Sequence, residues 1–487
     1  MKPRNFIMAL SFLVFLVIIA YLWMCQKTEG FGFPLDDAWI HQTYARNLGN
    51  YGEWAFLRGS PSAGSTAPLW TFMLAIGYWL KLDHFAWTFI LGGGCLLGMG
   101  LLGWKTAELF SPSHAGWFGL LQVGEWHLVW AAVSGMETLL FSGLILAVLY
   151  LLARERLYSW WIGVLVGISI WVRPDGLTLL GPVLLVAATL GGTRRDKSVG
   201  ILKILGGFSC VFVPYLIFNQ VISGAIFPTT FYAKQAEYAV MQQEPLLNRV
   251  SSVFSLPLVG AGLMLLPGFI YAGYSFFKKK NWWGIAAVLW WVGFNMLYVV
   301  RLPVTYQHGR YLIPAMPVFW LVGWIGSVWL IGWLRRTGRI GRLVSFGSIA
   351  ILILIWAAFL GLGARTYAQD TAIINTEMVA ASQWINANTP KDTVIGAHDI
   401  GALGYFGGRK ILDLAGLISP EVIPFIRDER MLISYLQGNN ATFLMTFPGW
   451  YPSLVQNMQQ VFITKGFYSP VAGGENMAVF SLQEREK

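Results

Sequence analysis

The chain has 487 residues, 56% of them hydrophobic and only 12% charged. Soluble domains carry roughly twice that charged fraction, so the composition excludes an ordinary soluble fold and describes a polytopic membrane protein. The formal net charge of +10 matters through where Lys and Arg fall, which gives no reason to infer nucleic-acid binding. Cys25, Cys95 and Cys210 lie in hydrophobic stretches without ligand spacing, so neither a disulfide framework nor a zinc site is indicated.

In chain order, Lys2 and Arg4 precede an apolar run from Phe6 to Cys25, about the 20 residues one span needs. No small-x-small cleavage signal follows. An uncleaved first helix with a cytoplasmic N-terminus is expected. Then comes Pro34-Leu35-Asp36-Asp37-Ala38-Trp39-Ile40-His41, continuing to Leu48. Ile40, Tyr44 and Leu48 fall on one side of a helix, and Gln42 and Arg46 on another, which predicts an amphipathic helix lying on the membrane surface. Asp36 and Asp37 suit its N-terminus. They read either as caps or as a pair of which at least one stays ionised there, able to accept a proton from a hydroxyl.

Further hydrophobic segments fall at about 68–82, 86–104, 114–133, 138–153, 158–172, 177–191, 199–222, 250–277, 282–300, 311–334 and 343–362, twelve with the first. Basic clusters at Arg154/Arg156, Arg194/Arg195/Lys197, Lys278/Lys279/Lys280 and Arg335/Arg336/Arg339/Arg342 mark the cytoplasmic side. An N-terminus inside and a C-terminus outside require an odd number of crossings, so one segment fails to cross. The segment 114–133 is the choice: Glu125 and His127 suit a broken or re-entrant helix, or an ordinary helix in which the two are paired. After Gly363 the apolar runs give way to a helix over Thr371 to Asn388. Strands are expected at Thr393 to Ala397, Lys410 to Leu414, Ala441 to Phe447, Val461 to Phe467 and Met477 to Leu482, with helices near 429–437 and 451–459 between them. The fold expected is therefore an α-helical membrane protein of about 11–13 transmembrane helices, residues 1–362 with a first outer loop at 26–67. An extracytoplasmic α/β domain at 363–487 completes it.

On that topology five polar clusters share the outer face with Asp36 and Asp37. They are Gly59 to Pro68, Ser134-Gly135-Met136-Glu137-Thr138, Arg173-Pro174-Asp175-Gly176, Phe227 to Lys234, and Arg301 to Tyr311 with His308 inside it. Glu137 reads as a helix-start signal or as a site-lining acid. Arg173, Lys234, Arg301 and Arg310 stand where the positive-inside rule does not place cations. Snorkelling or local pairs such as Arg173 with Asp175 account for them, and so does an anionic ligand. Two acids facing a cationic pocket suit transfer from a lipid-linked phosphate, and Walker A, His-Glu-x-x-His and Gly-x-Ser-x-Gly sequences are lacking. A transporter or flippase of lipid-linked sugars competes, although the unusual charges lie at membrane boundaries rather than mid-bilayer.

The acidic pair, the Tyr-Ala-Arg-Asn-Leu that follows it, the Gly-Ser-Thr-x-Pro-Leu-Trp return, Ser-Gly-Met-Glu-Thr, Arg-Pro-Asp-Gly and His-Gly-Arg-Tyr-Leu resemble polyprenyl-phosphate-dependent glycosyltransferases of the GT-C superfamily. The similarity is greatest to the bacterial branch with mycobacterial arabinofuranosyltransferases and dolichyl-phosphate-mannose-protein mannosyltransferase-like enzymes. The resemblance implies an inverting transfer with Asp36 as general base and Asp37 beside it positioning the acceptor or a divalent cation, Mg2+ or Mn2+. It further implies donor-phosphate contacts from Arg173, Lys234 and Arg310, and a site lined by Glu137, Asp175 and His308. Its partners would be a polyprenyl-phosphate sugar and an envelope glycan, lipid or protein acceptor at the plasma membrane. Asp399 and Asp413, in stretches similar to the soluble domain of that branch, read as acceptor contacts or as turn residues.

Overall fold

The computed structural model describes residues 3–154, 159–189 and 192–482; Lys2 and Arg156 of the expected cytoplasmic clusters lie outside the described residues. Each of the twelve hydrophobic segments is mainly helical where described. Six helices are long and apolar enough to cross a membrane: Pro3–Thr28, His84–Glu108, Arg194–Ser223, Trp282–Arg301, Tyr306–Leu334 and Arg339–Asn388. A seventh results if Leu246–Leu258 and Gly262–Lys278, bent by 106° at their junction, act as one span. That is fewer full-length spans than the 11–13 expected, for a physical reason. Thr138–Ala153, Trp160–Val172 and Pro174–Thr189 are apolar but run only 10–17 residues, short of the ~20 that cross a ~30 Å hydrocarbon core. Hydropathy registers such helices without showing where they stop.

The segment 114–133 is broken, as the first reading expects, and Glu125 and His127 are nevertheless paired, as the second expects. Helices Ala115–Val123 and Trp126–Val133 are separated at Gly124-Glu125, where Glu125 caps the second by accepting from Leu128 N at 3.0 Å. Glu125 also takes His127 Nδ1 at 2.7 Å, so the buried acid is hydrogen-bonded. Elsewhere small residues set the packing. Gly326 on the helix Met316–Leu334 lies on Gly268 and Ala272 of Gly262–Lys278, where a Cβ would overlap the opposing backbone. These helices cross at backbone contact, the usual device where lipid removes the hydrophobic drive.

The last span does not end at the membrane. Arg339–Asn388 is one helix of 50 residues, α-helical except for a π-helical turn at Asn375–Val379, and it carries the C-terminal domain. Glu377 in that turn accepts from Met477 N (2.8 Å), Asn476 Nδ2 (3.1 Å) and the Thr464 hydroxyl, pinning helix to sheet. Numbering the strands of the chain from the first-loop hairpin β1 (Ala55–Leu57) and β2 (Ser60–Pro61), the domain contains β3 (Val394–Ala397), β4 (Lys410–Asp413), β5 (Phe443–Thr446), β6 (Gln459–Ile463) and β7 (Ala478–Ser481). They form one sheet in the order β4-β3-β5-β7-β6, parallel across β4, β3 and β5 and antiparallel at β7 and β6. Four of the five expected strands fall within their expected spans. The fourth in sequence, β6, starts two residues earlier than Val461 and ends four before Phe467, with a register irregularity between Gln460 and Phe462.

Candidate active site

The first-loop helix α1, Asp36–Tyr51, departs from its expected setting. Leu35 is its N-cap, and neither Asp caps it. Its polar side is buried rather than solvated: Gln42 bonds Thr88 (2.8 Å) and Tyr78 (2.8 Å), and Arg46 donates to the carbonyls of Gly404 (3.1 Å) and Tyr405 (2.7 Å). The C-terminal domain covers this face, which hydrophobic periodicity has no means of registering.

The two acids then part company. Asp36 turns to the C-terminal domain, where its carboxylate accepts from Gly401 N at 2.6 Å and Ala402 N at 2.8 Å. Burial and then the charge of Asp399 push it up to about 8, against the pull of those two amides. Asp37, one residue on, faces a cavity. Its Oδ2 meets Lys234 Nζ at 3.0 Å and Arg310 Nη1 at 2.9 Å. Burial acts to raise it, but Arg310 and Lys234 outweigh that and hold it below the usual carboxylate range. Lys234 and Arg310 both also donate to the Tyr311 hydroxyl, each at 2.9 Å.

The cavity, about 370 Å³, draws on every polar cluster marked in the sequence: Gly64 and Thr66, Met136 to Thr138, Arg173 to Asp175, Thr230 and Lys234, and Arg301, Arg310 and Tyr311. Leu177, Phe227, Phe231, Leu297 and Leu302 supply apolar walls, and Leu417 is the contribution of the C-terminal domain. Asp36 is absent from the lining. Arg173 is paired as the sequence suggested, with Asp175 Oδ2 at 2.9 Å and the Tyr298 hydroxyl at 2.9 Å, and it stands 3.5 Å from Glu137. His308 is a correction, because it does not line the cavity. Its Nε2 meets Asp370 at 2.8 Å on the long C-terminal helix, beside the Trp126 and Trp130 rings. There it holds a left-handed turn, with φ of 52°, 59° and 66° at Gln307, His308 and Gly309, which directs the following Arg310 toward Asp37.

Sequence reasoning assigned no role to His41, Tyr298 or Tyr311. For His41 a signal existed: four residues after Asp37, it shares that helix face. Its Nδ1 contacts Thr71 (3.1 Å) and Ser65 (3.2 Å), leaving Nε2 3.5 Å from Glu137. A divalent cation at the acidic pair does not fit these donors. Both Asp36 oxygens accept backbone N–H groups, and Asp37 already meets two cations where the metal charge would have to stand. Among the described residues no group of three or more His, Cys, Asp or Glu is arranged to hold a metal ion.

Residues 365–480 match a family described as a domain of unknown function, DUF8728. The chain is 29% identical over 346 residues to the terminal β-(1→2)-arabinofuranosyltransferase of Mycobacterium tuberculosis, covering 60% of this chain and 52% of that protein. It thus spans about half the length of that relative. Among solved structures it is similar to ArnT from Cupriavidus metallidurans in the apo state, with a TM-score of 0.59 at 14% identity over 96% of this chain and 97% of that one. The same protein bound to undecaprenyl phosphate gives a TM-score of 0.61, with the same identity and coverage. The Archaeoglobus fulgidus oligosaccharyltransferase in the apo form gives 0.59 at 10% identity, over 91% and 69% of the two chains. The chain shares its fold with these solved structures, a set of long apolar helices followed by a small C-terminal sheet domain.

Proposed function

We propose that the chain is an inverting glycosyltransferase that moves a sugar from a polyprenyl-phosphate donor to an envelope glycan, lipid or protein acceptor, with Asp37 rather than Asp36 as general base. The observation that carries this reading is the ion-pair knot at Asp37, two cations around one carboxylate in the wall of a partly apolar cavity. Two positive charges against one leave a surplus that suits a phosphate, and the leucines and phenylalanines suit an isoprenoid chain. The undecaprenyl phosphate bound by ArnT and the dolichol-phosphate bound by the archaeal AglB support the donor class. The name of the mycobacterial relative makes arabinofuranose the first sugar to try.

In this reading the donor phosphate engages Lys234 and Arg310 and draws them off Asp37. The carboxylate, no longer neutralised, becomes a stronger base. It takes the proton of an acceptor hydroxyl as that oxygen attacks the anomeric carbon from the face opposite the phosphate. The bond from carbon to phosphate oxygen breaks, its electron pair leaves with the phosphate, and the two cations stabilise the charge. Asp36, bound to two amides and away from the lining, is poorly placed for that proton. The basic clusters at Arg194–Lys197, Lys278–Lys280 and Arg335–Arg342 lie at the ends of their helices remote from the cavity. By the positive-inside rule this supports an extracytoplasmic site and C-terminal domain.

The test is transfer of label in reconstituted membranes from a panel of radiolabelled polyprenyl-phosphate sugars to crude envelope acceptors. Asp37→Asn is expected to lower turnover by roughly 10²- to 10⁴-fold. Lys234→Ala should instead weaken inhibition by sugar-free polyprenyl phosphate by roughly tenfold or more. Wild-type protein that carries the donor across the bilayer without forming a glycosidic bond would establish a flippase instead.

A further inference from the structure

Glu137 stands out among the cavity acids. Asp37 and Asp175 each hold their cations at 3.1 Å or less. Glu137 is 3% exposed, yet its Oε2 makes no hydrogen bond of ordinary length. Its neighbours stop short: His41 Nε2 is 3.5 Å from Oε2, and Arg173 Nη1 is 3.5 Å from Oε1. Nor does it serve the helix it precedes, for Thr138–Ala153 receives no side-chain cap from it. A buried acceptor left open costs free energy that a bound donor group recovers.

Its surroundings are fixed. Gly135, at φ +78°, makes the turn into Glu137, and its carbonyl accepts from Trp70 Nε1 at 2.9 Å. The hydroxyls of Ser65 and Thr71 hold the His41 ring from behind. The charges lining the cavity form two groups, a cationic end and an acidic one, both with a cation against the Tyr311 ring. Lys234 and Arg310 outnumber Asp37 at one, while Glu137 and Asp175 outnumber Arg173 at the other. A sugar linked through phosphate at the cationic end places its ring, and the ring's hydroxyl donors, within the same 370 Å³.

Resting on the glycosyl-transfer reading above, we propose that Glu137 is a sugar-recognition residue, its open Oε2 accepting a hydrogen bond from a ring hydroxyl of the transferred sugar while Arg173 and His41 keep the carboxylate in place.

The experiment compares kcat/KM of wild type and Glu137→Gln on whichever donor the panel identifies and on each of its monodeoxy analogues, in the full-length reconstituted protein. Sugar-free polyprenyl phosphate serves as inhibitor in parallel. Wild type is expected to lose roughly 10- to 100-fold on one monodeoxy donor, the range for a hydrogen bond to a charged group. Glu137→Gln should lose a similar factor on the full donor and under about threefold on that analogue, because the interaction is already gone. Inhibition by sugar-free polyprenyl phosphate should not change. The wild-type series alone tests the proposal if the variant does not fold: indifference to every single hydroxyl overturns it. So does an equal loss by Glu137→Gln on all analogues, weaker inhibition by the sugar-free lipid, or preference for an amino-sugar donor, which would assign an ammonium to Oε2. Absence of transfer by wild type from any donor would instead remove the glycosyl-transfer reading itself.

Discussion

Asp36→Asn separates the two acids. In the wild type Oδ1 accepts Ala402 N and Oδ2 accepts Gly401 N. Asparagine retains one acceptor and presents its amide N–H₂ to the other donor, so one buried backbone N–H is left unpaired. Such a loss costs about 1–3 kcal/mol, or about 5- to 150-fold in the equilibrium between docked and undocked C-terminal domain. Hydrogen exchange is the assay, and protection at residues 401–407 should fall by that factor while the membrane helices keep theirs. The dependence on pH has a definite sign. Asp36 is pushed up to about 8 and the neighbouring Asp399 up to about 6, in each case chiefly by burial. The docked state therefore keeps protons that the undocked state gives up above about pH 4. Docking is strongest in acid and weakens as pH rises toward about 8, and Asp36→Asn should flatten the upper part of that slope. Unchanged protection at 401–407 together with a loss of transfer beyond about a hundredfold would refute this reasoning and return the base to Asp36.

The pH profile of kcat/KM, which reports the free enzyme, distinguishes the acids by a second route. Asp37 is held low by Arg310 and Lys234, so activity should stay flat on the acid side through neutrality, whereas a limb centred near 8 would point to Asp36. In the C-terminal domain the buried Arg409 donates to Thr389 Oγ1 (3.0 Å), Thr389 O (2.6 Å) and Asn386 O (2.8 Å), closing the end of the long helix. Arg409→Ala leaves those acceptors open and should lower the stability of this domain by roughly 2–4 kcal/mol, read by thermal unfolding.

Much of the site was legible because polar residues are costly at a membrane boundary and therefore conspicuous. Lys234, Arg310, Arg173 and Glu137 were each found as exceptions to an apolar background, and all line one cavity with Asp37. What stayed hidden depends on contacts between residues far apart in the chain. Nothing within Asp36-Asp37 tells which acid meets Gly401 and Ala402, some 365 residues on. His308 sits in a motif with Arg310, and only the fold separates them, sending one side chain to Asp370 and the other to Asp37. The number of full-length apolar helices is smaller than the number of hydrophobic segments for a simpler reason: hydropathy sums composition, while the bend between Leu258 and Gly262 and the early stops of the short helices are matters of geometry.

The unbroken helix Arg339–Asn388 bears on how the roof of the cavity can move. At 1.5 Å per residue its 50 residues make a rod of ~75 Å, more than twice the hydrocarbon thickness. A domain on a loose tether would sample many heights and headings above the bilayer. One fixed to a rod is held as well by Asp36 and Arg46, by the Thr229 hydroxyl donating to the Leu417 carbonyl at 2.5 Å, and by His398, 3.2 Å from Glu237. Leu417 can then be raised from the cavity only when those contacts break, so acceptors too bulky to slip beneath it must wait on a mechanical event rather than on diffusion alone.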